Sequence, residues 1–331
     1  MKNISKKNKN FWKNKLSIAP MKNITDSHFR FFIRKFSKKI QLYTEMINTN
    51  IILNNKKKYL KYNNEEHPIV LQLAGNDPLE LAICSKIGLE KYKYDEINLN
   101  VGCPSIRANK GNFGICLMKD TDLLLRCIDY ISKYVNIPIT IKTRIGFDNY
   151  DNYEFLYNFI KKISYFSKCN HFIIHARKAL IKKFSPKKNR NIPKLNYSMV
   201  YNIKKDFPNT KITINGGINN INDAIMHLSK VDGVMIGRSA YHNPKILIKA
   251  DSILFNSKNP SINEKNIALS MLDYIEKKLI NGEKLWNITR HMLNLFRGKK
   301  NAKYWRQYIS KNSFKKNSGP EVIINALKLI K

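Results

Sequence analysis

The residues Asn98-Leu99-Asn100-Val101-Gly102-Cys103-Pro104-Ser105 carry a thiol on the loop that follows a short β-rich run, Glu96 to Val101. Glycine permits close backbone approach or a positive φ, and proline fixes φ and removes an N–H donor. Cys103, set between the two, is held on a restricted backbone, a placement that suits a reactive group. A buried structural cysteine at a strand end is the competing reading. Polar or unusual residues close other β-rich runs as well: Ala19-Pro20-Met21, Gln72, Lys142 with Arg144, His175 with Arg177 and Lys178, Asn215-Gly216-Gly217, and Gly237-Arg238. A single histidine or lysine in such a place is usually satisfied structurally. The same pattern at seven of eight runs is hard to obtain by chance.

Those runs are Ser17–Met21, Leu42–Met46, Ile69–Ala74, Glu96–Val101, Ile139–Arg144, His171–Ala176, Lys211–Asn215 and Gly233–Gly237. Several are apolar almost throughout, the pattern of parallel strands buried on both faces. Amphipathic segments lie between them, around Ser27–Ser37, Pro78–Glu90, Thr121–Tyr134, Tyr153–Ser164, Tyr197–Lys205 and Asn222–Leu228. Strands alternating with helices predict an α/β fold, a (β/α)8 TIM barrel over residues 16–255, with its chemistry at the C-terminal ends of the strands. A doubly wound sheet is the alternative. The chain has neither a Gly-x-Gly-x-x-Gly after its first run nor a Gly-Lys-Ser phosphate loop, which disfavours it. In a barrel, Asn215-Gly216-Gly217 and Gly237-Arg238 would offer backbone N–H groups at two helix N-termini, where barrels often bind a phosphate. Two ordinary glycine turns are the competing reading. Lys142 and His175 would face the middle of the mouth, where cations and donors suit the electron-rich N1–O2 edge of a reduced flavin.

The strand signal stops near Asp251, and residues 256–331 read as a small all-helical C-terminal domain: Asn263–Leu279, Leu285–Leu295, Lys303–Lys311 and Pro320–Leu329. Between Asn287 and Asn317 stand nine Lys or Arg and no Asp or Glu, interleaved with Phe296, Tyr304, Trp305, Tyr308 and Phe314. Basic residues supply phosphate contacts and aromatics can stack on bases, which points to RNA, although a solvated helix face competes. The whole chain of 331 residues carries a net charge of +36, with 49 Lys against 11 Arg. That ratio speaks for compositional drift as much as for a polyanionic partner, so the position of the charges matters more than their number. The five cysteines are scattered and have no CxxC spacing, so neither a metal site nor a disulfide framework is expected, and a reducing, cytoplasmic setting is. No run reaches the roughly 18 apolar residues of a membrane span. Residues 1–15 form a basic tail without the apolar core of a secretory signal.

In its strand-end motifs the chain closely resembles the tRNA-dihydrouridine synthases, and within them the bacterial DusA type. The resemblance rests on Ala19-Pro20-Met21, Tyr43-Thr44-Glu45-Met46, Gln72-Leu73, Leu99 through Ser105, Ile141-Lys142-Thr143-Arg144, Ile174-His175-Ala176-Arg177-Lys178, Asn215-Gly216-Gly217-Ile218 and Gly237-Arg238, with Ser185 through Arg190 and Arg290-His291-Met292 typical of the subgroup. It implies an FMN-binding barrel followed by a tRNA-binding helical domain, and reduction of the C5=C6 bond of uridine at D-loop positions 20 and 20a with NADPH. It implies that Ala19, Pro20, Met21, Gln72, Lys142, His175, Asn215, Gly216, Gly217, Gly237 and Arg238 hold FMN, and that Cys103 is the catalytic proton donor. An ordinary cysteine thiol, with a pKa of about 8.5, is mostly protonated at neutral pH, as such an acid must be. Contacts to tRNA are expected at Asn100, Lys187, Arg190, Lys303 and Arg306, and a monomer is expected. The alternatives are an FMN barrel acting on a free pyrimidine or other small molecule, and a non-catalytic RNA-binding protein.

Overall fold

Strands that are apolar on both faces need helices on one side and a closed interior on the other, and a barrel supplies both. The computed structural model describes residues 15–54, 57–181, 183–257 and 262–330. Nine short strands form one parallel sheet: β1 Leu16–Ile18, β2 Leu42–Tyr43, β3 Ile47–Asn48, β4 Ile69–Ala74, β5 Glu96–Asn100, β6 Ile139–Arg144, β7 His171–His175, β8 Lys211–Asn215 and β9 Gly233–Ile236. The pairing runs β1-β9-β8-β7-β6-β5-β4-β2, and β3 pairs with the end of β4. A bridge between Ser17 and Gln41 closes the seam between β1 and β2, where the Ile18 N–H donates to the Gln41 carbonyl at 3.0 Å. The result is the expected (β/α)8 barrel.

Two runs depart from expectation for local reasons. β1 stops at Ile18, not Met21, because Pro20 brings no N–H to the ladder and the Met21 N–H turns to Thr25 Oγ1 at 2.9 Å. The expected run Leu42–Met46 shortens to β2, and β3 follows beyond its end, at Ile47–Asn48. The Thr44 hydroxyl accepts the Gln72 N–H at 3.0 Å, taking the place of a ladder carbonyl. The helices between strands follow the amphipathic segments closely. Asp26, Asp77, Asp120, Asn152, Asn196 and Asn220 each cap a helix, the side chain accepting a backbone N–H three residues on. Each such cap contributes about 1 kcal/mol.

After Phe255 the described chain is helical: Glu264–Leu269, Leu272–Ile280, Leu285–Thr289, Ala302–Asn312 and Glu321–Leu327. Two expected helices are shorter than their periodicity suggested. Asn263–Leu279 breaks at Ser270–Met271, and beyond Thr289 the chain continues as turns. Ile275, Ile288, Met292, Phe296 and Trp305 lie in one buried cluster with Phe29, Phe32 and Leu247 of the barrel. Phe31 stacks on Tyr274 with ring centroids 3.9 Å apart. Asp26, already a cap, also accepts from Arg290 Nη2 at 2.5 Å and from His291 Nε2 at 3.1 Å. Among the described residues no helix is long and apolar enough to cross a membrane. The expected basic tail falls almost wholly on residues 1–14, outside the described residues.

Candidate active site

A cavity of about 1290 Å³ opens at the C-terminal ends of the barrel strands. Its wall contains Cys103, Asn100, Lys187, Arg190 and every residue expected to hold FMN: Ala19, Pro20, Met21, Gln72, Lys142, His175, Asn215, Gly216, Gly217, Gly237 and Arg238. Lys303 and Arg306 lie elsewhere, on the helix Ala302–Asn312, with Lys303 exposed and Arg306 half-buried. A second hollow of about 800 Å³, lined by Asn109, Lys110, Cys116, Lys119 and Asp120 among others, contains none of the expected residues.

The thiol loop is built from the end of β5. Asn100 Oδ1 accepts the backbone N–H of Cys103 at 3.0 Å and of Gly102 at 3.3 Å. The Gly102 carbonyl accepts from Arg144 Nε at 3.0 Å. The Cys103 carbonyl accepts the Ile115 N–H at 3.1 Å, and Gly114 (φ +65°) lies so close that a Cβ there would sit 2.7 Å from that carbonyl oxygen. The side chain of Cys103 packs beside Ala74, Ala108, Phe113 and Met46 while remaining half-buried at the cavity wall. Every cysteine of the chain is a free thiol. Among the described residues no group of three or more His, Cys, Asp or Glu is arranged to hold a metal.

Lys142 and His175 stand on adjacent strands. Lys142 Nζ donates to Asn215 Oδ1 at 3.1 Å, and Asn215 Nδ2 in turn donates to the Met235 carbonyl at 2.7 Å. Burial, with Arg144 nearby, pulls the Lys142 ammonium down to about 7. Burial and the surrounding cations Arg144, Lys142, Arg177 and Arg238 hold His175 well below the ordinary imidazole value, so it is neutral. His175 is therefore a neutral imidazole beside the Lys142 ammonium. Its Nδ1 is buried and has no hydrogen-bond partner among the described residues. Gly216 (φ +113°) and Gly217 (φ +74°) adopt backbone that L side chains rarely reach. A Cβ at Gly217 would fall 2.6 Å from Leu195 and 2.7 Å from the Tyr197 hydroxyl.

These features fit a flat, oxygen-rich heterocycle with a phosphate tail. An ammonium poised to gain charge, a neutral imidazole with an unused nitrogen and a bare glycine pair on the cavity wall suit a flavin. Of the polar groups of Asn100, the carbonyl is used on the Cys103 loop and one N–H donates to Gln72 Oε1 at 3.0 Å, which leaves one N–H. Sequence reasoning did not foresee what Arg144 does. Its guanidinium joins Gly102 of the thiol loop to the Lys178 and Asn189 carbonyls, both at 3.1 Å, on the segment that carries Lys187 and Arg190. Burial lowers Arg144 to about 10. Arg107 and Arg297 on the cavity wall were also missed, since neither falls at a strand end.

Comparison with known proteins agrees with this geometry. Residues 17–331 match the family described as Dihydrouridine synthase (Dus). The chain is 48% identical over 319 residues to the tRNA-dihydrouridine(20/20a) synthase of Escherichia coli (strain K12), covering 96% of this chain and 92% of the relative. It is likewise 48% identical to proteins of that name from Shewanella oneidensis (93% and 91% covered) and Vibrio vulnificus (95% and 96% covered). Among solved structures, a complex of 2-naphthoyl-CoA reductase with 2-naphthoyl-CoA superposes with a TM-score of 0.54 at 11% identity over 72% of this chain and 50% of that one, a likeness of fold alone.

Proposed function

The chain belongs to the dihydrouridine synthase family, and from that premise we propose that it reduces uridines 20 and 20a in the D-loop of tRNA to 5,6-dihydrouridine, using FMN and NADPH. The observation that carries the reading is the meeting, in one cavity, of the Cys103 thiol with Lys142, the unpaired His175 Nδ1 and the Gly216–Gly217 cradle.

A bound FMN, once reduced by NADPH, would supply the hydride that C6 of the uracil ring takes up. Lys142 and His175 would hold the pyrimidine edge of the flavin, and Ala19, Pro20, Met21 and Gln72 would complete its seat. Asn215, Gly216, Gly217, Gly237 and Arg238 would hold its ribityl phosphate end. Cys103 gives its Sγ proton to C5 from the opposite face of the uracil. The thiol carries a negative charge after that step, and Lys142 and Arg144 lie close enough to offset it. Asn100 has one free N–H to offer a uracil carbonyl.

A uridine inside folded tRNA reaches this depth only by leaving its stack, which costs a few kcal/mol. Lys187 and Arg190 at the rim would hold phosphates around the entering nucleotide, and Lys303 and Arg306 would hold more distant ones. On this reading residues 16–255 form the catalytic barrel and residues 256–331 the tRNA-binding helices. A cytoplasmic setting follows from the substrate and from the free thiols. The test is direct: the purified protein carries a chromophore that is identified by mass as FMN and bleached by NADPH, and it forms dihydrouridine on unmodified tRNA transcript. Activity on free uracil or uridine with none on tRNA would move the reading to a small-molecule reductase.

A further inference from the structure

Glu96 is a buried carboxylate with no part in the chemistry above. It opens β5, the strand whose other end carries the thiol loop. Its Oε1 accepts from Thr140 Oγ1 at 2.6 Å and from the Tyr43 hydroxyl at 3.4 Å, and its Oε2 accepts from Gln41 Nε2 at 3.0 Å. From Thr140 the hydrogen bonds run unbroken through the barrel interior. Asn98 Nδ2 donates to Thr140 Oγ1 at 2.8 Å, Gln72 Nε2 to Asn98 Oδ1 at 2.7 Å, and Asn100 Nδ2 to Gln72 Oε1 at 3.0 Å. Asn100 Oδ1 then accepts the Cys103 N–H. Residues 96, 98 and 100 share one face of β5, and Gln72 and Thr140 are the register partners of Asn98 in β4 and β6, so the sheet itself sets the spacing.

Every link of this chain points the same way. A backbone N–H, which can only donate, ends it at Cys103. An ionised carboxylate, which can only accept, ends it at Glu96. A primary amide between them could be turned over, but any single turn would set donor against donor or oxygen against oxygen inside the barrel. In the orientation observed, Gln72 and Asn100 each keep one N–H with no acceptor among the described residues, and both residues line the cavity.

We propose that Glu96 is a positioning residue whose carboxylate orients the Asn98, Gln72 and Asn100 amides, fixing the backbone of the Cys103 loop and the N–H donors offered to the pyrimidine rings bound beside it. The proposal rests on the reading of the cavity as a dihydrouridine synthase site. Burial lifts the carboxyl to about 7 against the pull of its three donors, so the test is run at pH 8, where it is ionised.

Wild-type protein, Glu96→Gln, Thr140→Val and the double variant are compared on unmodified tRNA with NADPH. Each single variant is expected to lose about tenfold in dihydrouridine formed per second at saturating tRNA, with KM for tRNA unchanged. NADPH oxidation with oxygen as acceptor should persist. The double variant should be no slower than the slower single, because both cut the same chain. Losses that multiply in the double variant, or singles that match wild type, would overturn the relay. If Glu96→Gln fails to fold, the near-isosteric Thr140→Val still decides: it breaks the chain with the carboxylate in place, and full activity in it refutes the proposal. A wild-type protein that makes no dihydrouridine would instead remove the underlying reading of the site.

Discussion

At the scale of the residue, the proposed chemistry turns on a thiol that gives up a proton and on charges placed around it. Cys103→Ala should retain its flavin and still oxidise NADPH while forming almost no dihydrouridine, a loss of at least the roughly 10²-fold that general acid catalysis supplies. Absorbance of the bound cofactor and product counting on tRNA separate the two steps. Lys142 makes a second prediction, on pH. Its folded value of about 7 lies below that of an unfolded lysine, so between pH 7 and about 10.5 the unfolded chain binds the extra proton. Stability of the cofactor-free protein therefore rises with pH through that window. The electron-rich O2 edge of the flavin binds a protonated ammonium better than a neutral amine, so affinity for FMN should fall between pH 6.5 and 9, and Lys142→Met should flatten the slope; fluorescence titration at the two pH values measures it. Cys103, Lys142 and His175 were legible in the sequence because chemistry-bearing types at strand ends are uncommon. Glu96 was not. At the start of a run a carboxylate reads as a strand's polar edge, and only the register with Gln72 and Thr140 reveals that it points inward.

At the scale of the element, the strands and barrel helices were readable from apolar runs and 3.6-residue periodicity, which local side chains rarely override. The exceptions have named causes: Pro20 ends β1, and the Thr44 hydroxyl takes a ladder position just after β2, so that pairing resumes only at Ile47–Asn48. The basic segment Asn287–Asn317 shows the limit of composition. Phe296 and Trp305 prove to be core, the indole donating to the Met292 carbonyl at 3.1 Å, while Tyr304 and Phe314 are exposed. Arg290 is held by Asp26, Arg297 by the His242 carbonyl and Lys299 by Glu264, so part of the charge is structural. Spacing along a sequence cannot tell a cation that faces RNA from one that locks a helix to a barrel. The exposed Lys187 and Arg190 are of the first kind on this account. Lys187→Ala and Arg190→Ala should each weaken tRNA binding across sequences and reduce the slope of log affinity against log salt by about one. Binding isotherms at several salt concentrations measure this, and an unchanged slope in both would remove these residues from the phosphate interface.

At the scale of the whole molecule, one hydrophobic cluster spans the barrel and the C-terminal helices, so the depth of the cavity and the position of the basic helices are set together. That coupling suits a substrate held at a distance from the base that reacts. The net charge of +36 adds long-range attraction for any polyanion, but it selects none. With Lys303 and Arg306 proposed to hold tRNA, selection of a uridine would come from the path between them and Cys103. The measurement that bears most directly on this account is a nucleotide-resolution map of dihydrouridine in tRNA from cells lacking this protein and from the same cells supplied with wild type or Cys103→Ala. Dihydrouridine should vanish at positions 20 and 20a, return with the wild-type chain and stay absent with the variant. Unaltered dihydrouridine at both positions in the cells that lack the protein, or full restoration by Cys103→Ala, would contradict the account.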